Sequence, residues 1–196
     1  MKPYWMSRTQ LMLGDEKEEK LMSKNVLVIG LGGVGGICAE MIVRAGIGKM
    51  TIVDNDTIDA SNINRQIPAL HSTIKKSKAQ VLAARLLDIN PLLDLTVLEE
   101  FMEEDKTIEL IEKEPWDYVV DCIDTLSAKV DLIKGCPIFG HPFFLNFTKC
   151  KYLLNIKVTL RNDFCILKLK TKVKIEKIKP NENKNYFIFS IIHFFY

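Results

Sequence analysis

No CxxC pair occurs in this chain, and its five cysteines, at positions 38, 122, 136, 150 and 165, are odd in number and scattered. That spacing indicates neither a disulfide framework nor a paired-cysteine zinc site. No apolar stretch approaches the ~20 residues a membrane span needs. The longest candidate, Phe187 to Tyr196, carries Ser190 and His193. The opening residues, MKPYWMSRTQ, hold no apolar core of a secretory signal. A soluble protein of the reduced cytoplasm is the expectation. Histidine is scarce, and neither His71 nor His141 stands in a recognisable ligand or catalytic pattern. A large excess of one charge is also missing: 27 basic against 25 acidic side chains leave +2 over 196 residues.

That balance hides a division. Residues 1–133 carry 15 basic and 22 acidic side chains, net −7, whereas residues 134–196 carry 12 and 3, net +9. Only 5 of the aromatic residues precede position 134, and 12 follow it; alanine is absent after Ala128. The expected organisation is therefore a folded domain over residues 1–135 and a basic, aromatic-rich tail over 136–196. Such a tail has the composition to meet nucleic acid or an acidic surface.

Within the first part, short apolar runs alternate with segments of helical spacing. Asn25–Ile29, Met50–Val53, Leu95–Leu98 and Trp116–Cys122 read as strands. Ile37–Ala45, Ser77–Asn90, Thr107–Glu114 and Ser127–Ile133 read as helices, and 9–22 as one polar helix with Leu21 and Met22 inward. Asn55 to Thr73 lacks periodicity and reads as a long loop, a feature that is usually functional or disordered. Strands alternating with helices predict an α/β, Rossmann-like, doubly wound and mainly parallel sheet with helices on both faces. Pro137–Phe147 has room for one more strand, and alternation within 151–179 suggests short antiparallel strands.

Three motifs carry chemistry. Gly30-Leu-Gly32-Gly33-Val-Gly35 is a GxGxxG match between a strand and a helix, the context the motif requires. Gly30 allows the tight turn, Gly32 and Gly33 let phosphate approach the backbone, and Gly35 lets helix and strand pack closely. Asp54 ends the next strand, where a carboxylate accepts hydrogen bonds from ribose hydroxyls. Asn62-Ile-Asn-Arg65-Gln66, followed by Lys78 at a helix start, adds what hydride transfer does not need. Arg65 and Lys78 can offset charge on a leaving pyrophosphate, while Asn62 and Gln66 can orient phosphate oxygens. In Asp121-Cys-Ile-Asp124, the second carboxylate lies past the strand and is the better candidate to reach Mg²⁺ on ATP phosphates. Asp121 reads equally as a turn residue, and Cys122 as core.

Together these stretches resemble the ThiF/MoeB/ubiquitin-activating adenylyltransferase superfamily. SRTQLMLG (Ser7–Gly14), GLGGVGG, DNDTIDASNINRQIPAL (Asp54–Leu70), KSKAQV (Lys76–Val81), INP (Ile89–Pro91) and VVDCIDTLSAK (Val119–Lys129) are similar to its tRNA threonylcarbamoyladenosine dehydratase branch. The resemblance spans about residues 7–133. It implies an enzyme that uses ATP and Mg²⁺ to adenylate the carboxylate of the threonylcarbamoyl group on adenosine 37 of tRNA, after which the modification closes a ring with loss of water. It further implies that Gly30, Gly32 and Asp54 hold adenosine, Asn62 helps place phosphates, Arg65 and Lys78 stabilise phosphate charge, and Asp124 positions Mg²⁺. A homodimer is implied as well, with Arg8 reaching the partner's ATP; DNA has no part. The family pattern has Gly where Lys75 stands and Pro where Ala128 stands, and it continues as further sheet and helices where this chain has its Lys/Phe-rich tail. Three other readings share the motifs: activation of a ubiquitin-like or sulfur-carrier protein, an NAD-dependent oxidoreductase, and a nucleotide-binding remnant without turnover.

Overall fold

The computed structural model describes residues 3–124, Lys129, Leu132, 143–145, 157–161 and 164–168. The chain divides into two compact units, Met1–Asn146 and Phe147–Tyr196. In the first, helices α1 (Ser7–Leu13) and α2 (Asp15–Met22) precede β1 (Asn25–Ile29), α3 (Gly35–Ala45) and β2 (Lys49–Val53). Then come α4 (Lys78–Ile89), β3 (Asp94–Leu98), α5 (Glu104–Lys113), β4 (Tyr118–Asp121) and β5 (Phe143–Leu145). The predicted single helix over 9–22 is two helices instead, because Gly14 between them sits at φ 77°, where an α-helix cannot continue. The helix predicted from Thr107 begins at Glu104, and the strand predicted over Trp116–Cys122 is confined to Tyr118–Asp121. Of the helix predicted over Ser127–Ile133, Lys129 and Leu132 are helical, and the rest lies outside the described residues.

The strands form one five-stranded sheet in the order β3-β2-β1-β4-β5, with all pairings parallel. The expected doubly wound parallel sheet is the fold that forms. Its cause lies in the alternation along the central strand. All five residues of β1 are buried. Val26 and Val28 face one core with Ala39 and Val43 of α3 and Leu82 and Leu86 of α4. Leu27 and Ile29 face the other, with Leu110 and Ile111 of α5, Trp116, Val119 and Leu132. Each such buried aliphatic side chain contributes about 1.5–3 kcal/mol.

Order 3-2-1-4-5 reverses its winding between β1 and β4, and such a reversal opens a crevice at the carboxyl ends of those strands. The register aligns Ile29 with Val53 on one side and with Asp121 on the other. Gly30, Asp54 and Cys122, the residues that follow each, therefore leave the sheet at one edge.

In the second unit, β6 (Lys157–Arg161) and β7 (Phe164–Lys168) form an antiparallel hairpin, pairing Lys157 with Lys168 and Arg161 with Phe164. The remaining predicted strand positions of the tail, Val173 to Ile178 among them, lie outside the described residues. Among the described residues, no helix is long and apolar enough to cross a membrane.

Candidate functional site

The glycine turn is built against the end of β4. Gly30 has φ 87°, and a Cβ there would lie 2.6 Å from the Cys122 carbonyl oxygen and 3.0 Å from the Ile123 nitrogen. Any side chain would force the strand ends apart. At Gly35 a Cβ would collide with the Gly30 carbonyl oxygen and stand 3.0 Å from the Cys122 Cβ. These two positions have the turn and packing roles expected of them. At Gly32, by contrast, the nearest group is the Gln66 Nε2 at 3.8 Å. A Cβ at Gly33 would lie 3.3 Å from the Arg65 carbonyl oxygen. The Asn62–Gln66 segment thus lies against the middle of the glycine turn, beside the N-terminus of α3.

Asp54 closes the other flank. Its Oδ2 accepts the Leu31 N–H at 2.6 Å and its Oδ1 accepts the Asp56 N–H at 2.8 Å. Burial pushes the Asp54 carboxyl up from its ordinary range, while the two backbone N–H groups and the Lys78 charge pull it down. Each carboxylate oxygen retains a lone pair for a ribose hydroxyl.

The long loop is more ordered than its sequence predicts. Ala60–Asn62 and His71–Thr73 form 3₁₀ turns. Ile58 donates to the Lys76 carbonyl at 2.9 Å, Lys75 to Ile58 at 2.8 Å, and Lys78 to Asp56 at 3.0 Å. Those bonds zip residues 56–58 onto the segment leading into α4. Asn62 is buried, and its Oδ1 accepts the Asp59 N–H at 3.0 Å, so part of its capacity closes the 3₁₀ turn. Arg65 is exposed, and its Nη1 donates to the Ser61 carbonyl and to Asn64 Oδ1, both at 2.9 Å. Lys78 is the first residue of α4; its side chain is only 7% exposed, and Nζ meets Asp56 Oδ2 at 2.7 Å. Asp56 is a member the sequence reading missed. Its signal was the alternation Asp54-Asn-Asp56 at the strand end, with the loop zipper that brings it to Lys78 hidden from sequence.

Past β4, Asp121 and Asp124 have separated fates. Asp121 is buried, its Oδ1 accepts the Ile123 N–H at 2.9 Å, and its Oδ2 accepts Lys129 Nζ at 2.7 Å. The turn reading therefore holds for Asp121. Asp124 is exposed. Cys122 is buried, as expected of a core residue, and its contact with Cys38, together with burial, pushes its thiol up. Arg8 is exposed on α1, an element separate in sequence from the glycine turn.

Two observations bear on whether a nucleotide fits. A Cβ would fill the space at Gly32, and the buried Gln66, over that space, has an Oε1 with no hydrogen-bond partner among the described residues. A buried acceptor left unmet is costly, and a ligand donor is a natural remedy. Among the described residues, no three His, Cys, Asp or Glu side chains gather as a metal cluster.

Comparison with known proteins shows the family to which the chain belongs. The model of the ThiF family matches residues 6–148, and the chain belongs to that family. It is 41% identical over 130 residues to a tRNA threonylcarbamoyladenosine dehydratase of Bacillus subtilis, covering 66% of this chain and 51% of that one. A dehydratase of the same description from Haemophilus influenzae is 38% identical over 117 residues, covering 60% and 44%. Among solved structures, the Escherichia coli tRNA N6-threonylcarbamoyladenosine dehydratase in complex with ATP is similar with a TM-score of 0.68 and 33% identity, covering 72% of this chain and 59% of that one. The chain spans about half the length of the relatives it matches.

Proposed function

From membership of the ThiF family, we propose that this chain binds ATP in the cradle of Gly30 to Gly35 and uses it to adenylate a carboxylate, that of the threonylcarbamoyl group on adenosine 37 of tRNA. The observation that carries this reading is the seating of Arg65 and Gln66 against Gly33 and Gly32. A cation and an amide beside a phosphate cradle suit cleavage between phosphates and serve no purpose in hydride transfer. Two-fifths identity to a dehydratase over the nucleotide-binding part supports the substrate class.

Each residue then has a task. Asp54 accepts ribose hydroxyls. The N–H groups at the start of α3 receive phosphate oxygens, helped by the helix dipole. Gln66 Oε1 takes a ligand donor. Arg65 leaves its contacts with Ser61 and Asn64 for phosphate, and Lys78, released from Asp56, offsets pyrophosphate charge. Asn62 holds the turn that presents Arg65 and turns its amide N–H groups to phosphate. Asp124 would hold Mg²⁺ beside the ATP phosphates, where the ion would supply neutralising charge to the leaving group. A carboxylate is a poor electrophile until one oxygen becomes a good leaving group; transfer of AMP to that oxygen supplies it, with pyrophosphate released. The neighbouring nucleophile of the same modification then closes the ring and expels AMP, a net loss of water from the nucleoside.

The working form in this proposal is a homodimer in the cytoplasm, where tRNA is found, with Arg8 of each protomer turned to the ATP of the other. The basic residues 136–196 supply phosphate contacts that the acidic first part lacks. Pyrophosphate release tests the substrate. Stimulation by tRNA bearing threonylcarbamoyladenosine supports the proposal; stimulation by a sulfur-carrier or ubiquitin-like protein alone replaces it with carrier activation. ATP binding without turnover on either would make the chain a nucleotide-binding remnant.

A further inference from the structure

The crevice between β1 and β4 rests on an ion pair that the adenylation chemistry does not use. Asp121 and Lys129 meet at 2.7 Å with side chains 1% and 3% exposed. Burying two charges gains little net stability, because their desolvation offsets the attraction. A strand end does not require them. Their position suggests another purpose. Asp121 pairs with Ile29 in the sheet register, one residue before Gly30. Its second carboxylate oxygen accepts the Ile123 N–H at 2.9 Å, and the Cys122 N–H is bound to the Ile29 carbonyl at 2.8 Å. On its other side, the Cys122–Ile123 peptide abuts Gly30, at the 2.6 and 3.0 Å where a Gly30 Cβ would lie. That peptide is therefore gripped between the glycine turn and the Asp121 carboxylate, and Asp124 is the next residue along. Lys129, in helical backbone, fixes the orientation of the carboxylate that grips it.

We infer that Asp121 and Lys129 are positioning residues: they hold residues 122–124 so that Asp124 is presented to magnesium-bound phosphate while Gly30 keeps its turn. This rests on the assignment of Asp124 to Mg·ATP. The structural observation most specific to it is that the Asp121–Ile123 bond and the close approach of Gly30 act on the same peptide, from opposite sides.

Two variants of the full chain separate the grip from the charge. Asp121→Glu keeps the charge pair but moves the carboxylate one methylene away from the Ile123 N–H. Asp121→Asn combined with Lys129→Gln removes both charges but keeps an acceptor for that N–H. Folding is followed by thermal melting, the grip by amide hydrogen exchange at Ile123 without nucleotide, and the outcome by ATP affinity with magnesium or with EDTA. The Glu variant is expected to exchange the Ile123 amide faster and to lose about tenfold in magnesium-dependent ATP affinity, with affinity in EDTA unchanged, as for a displaced outer-shell partner of a metal site. The double variant is expected to keep both. Loss in both variants, or in neither, or the opposite pattern, overturns the inference. If the unaltered chain gains no ATP affinity from magnesium, the assignment of Asp124 fails first, and that result appears without any variant.

Discussion

At the scale of the residue, Arg65 offers the sharpest separation of chemistry from folding. Its guanidinium is exposed and bonded to Ser61 and Asn64, so its removal leaves no buried group stranded. Arg65→Ala is expected to melt like the parent while pyrophosphate release falls by roughly 10²–10³, the cost of one lost transition-state contact. Asp54→Ala should instead raise the Kd for ATP, because ribose contacts are alike in ground and transition states. Titration with ATP and steady-state kinetics tell the two apart. Lys75 supplies a stability test. It stands at φ 67°, in left-handed backbone that costs a side-chain-bearing residue about 1–2 kcal/mol. Lys75→Gly should stabilise by about 0.5–1 kcal/mol in urea unfolding once the flexibility of glycine is set against the relieved strain. The tight glycine turn was legible in sequence, since GxGxxG between a strand and a helix requires backbone to pack closely there, as Gly30 and Gly35 do. Asp56 was not, because its partner Lys78 is reached only through the hydrogen-bonded loop. Nor was the burial of Asp121, since alternation along a strand gives the side to which a residue points and not what waits there.

At the scale of the element, the helices of one face are tied by a single carboxylate. Glu40 of α3 is buried, and its oxygens accept Arg85 Nε of α4 at 2.5 Å, Arg85 Nη2 at 3.1 Å and Arg44 Nε at 2.9 Å. The Arg85 bonds, with those of Arg44, hold the Glu40 carboxyl below the usual range. A folded value below the unfolded one means the bond stabilises above the unfolded carboxylate range, about pH 4.3, and is lost as the pH falls through the folded value. Glu40→Gln is accordingly expected to cost about 2 kcal/mol near neutrality. The gap to the parent should narrow as the pH falls below the ordinary carboxylate range, as urea unfolding across a pH series will record. Helices and strands were readable because burial imposes periods of 3.6 and 2, most plainly in β1, whose alternate residues feed opposite cores. The break at Gly14 was less so, since a helical pattern on both sides gives no sign of a backbone turned to positive φ between them.

At the scale of the whole molecule, the opposed charges of the two parts give the expected dependence on salt. If the lysines after Lys149 meet tRNA phosphates, binding should weaken steeply between low and physiological salt, because each neutralised phosphate releases counterions. Since β5 completes the parallel sheet, the chain should be cut after Asn146 rather than at the composition boundary near 135. The shortened chain is expected to retain ATP binding and lose the salt-sensitive part of tRNA binding, measured by filter retention across a salt series. Unchanged tRNA binding would remove the tail from RNA recognition. A change of charge near residue 134 was plain in composition, whereas the compact unit runs on to Asn146; the partner of the tail was not legible, since charge and aromatic content describe many surfaces.

The central claim, that a carboxylate is adenylated, is tested most directly by following oxygen. A heavy-oxygen label is placed in the carboxylate of threonylcarbamoyladenosine on tRNA, the protein and Mg·ATP are added, and the products are weighed by mass spectrometry. Adenylation followed by ring closure sends one labelled oxygen into AMP and releases pyrophosphate, with the nucleoside lighter by one water. Unlabelled AMP, or ADP and phosphate in its place, would contradict the account.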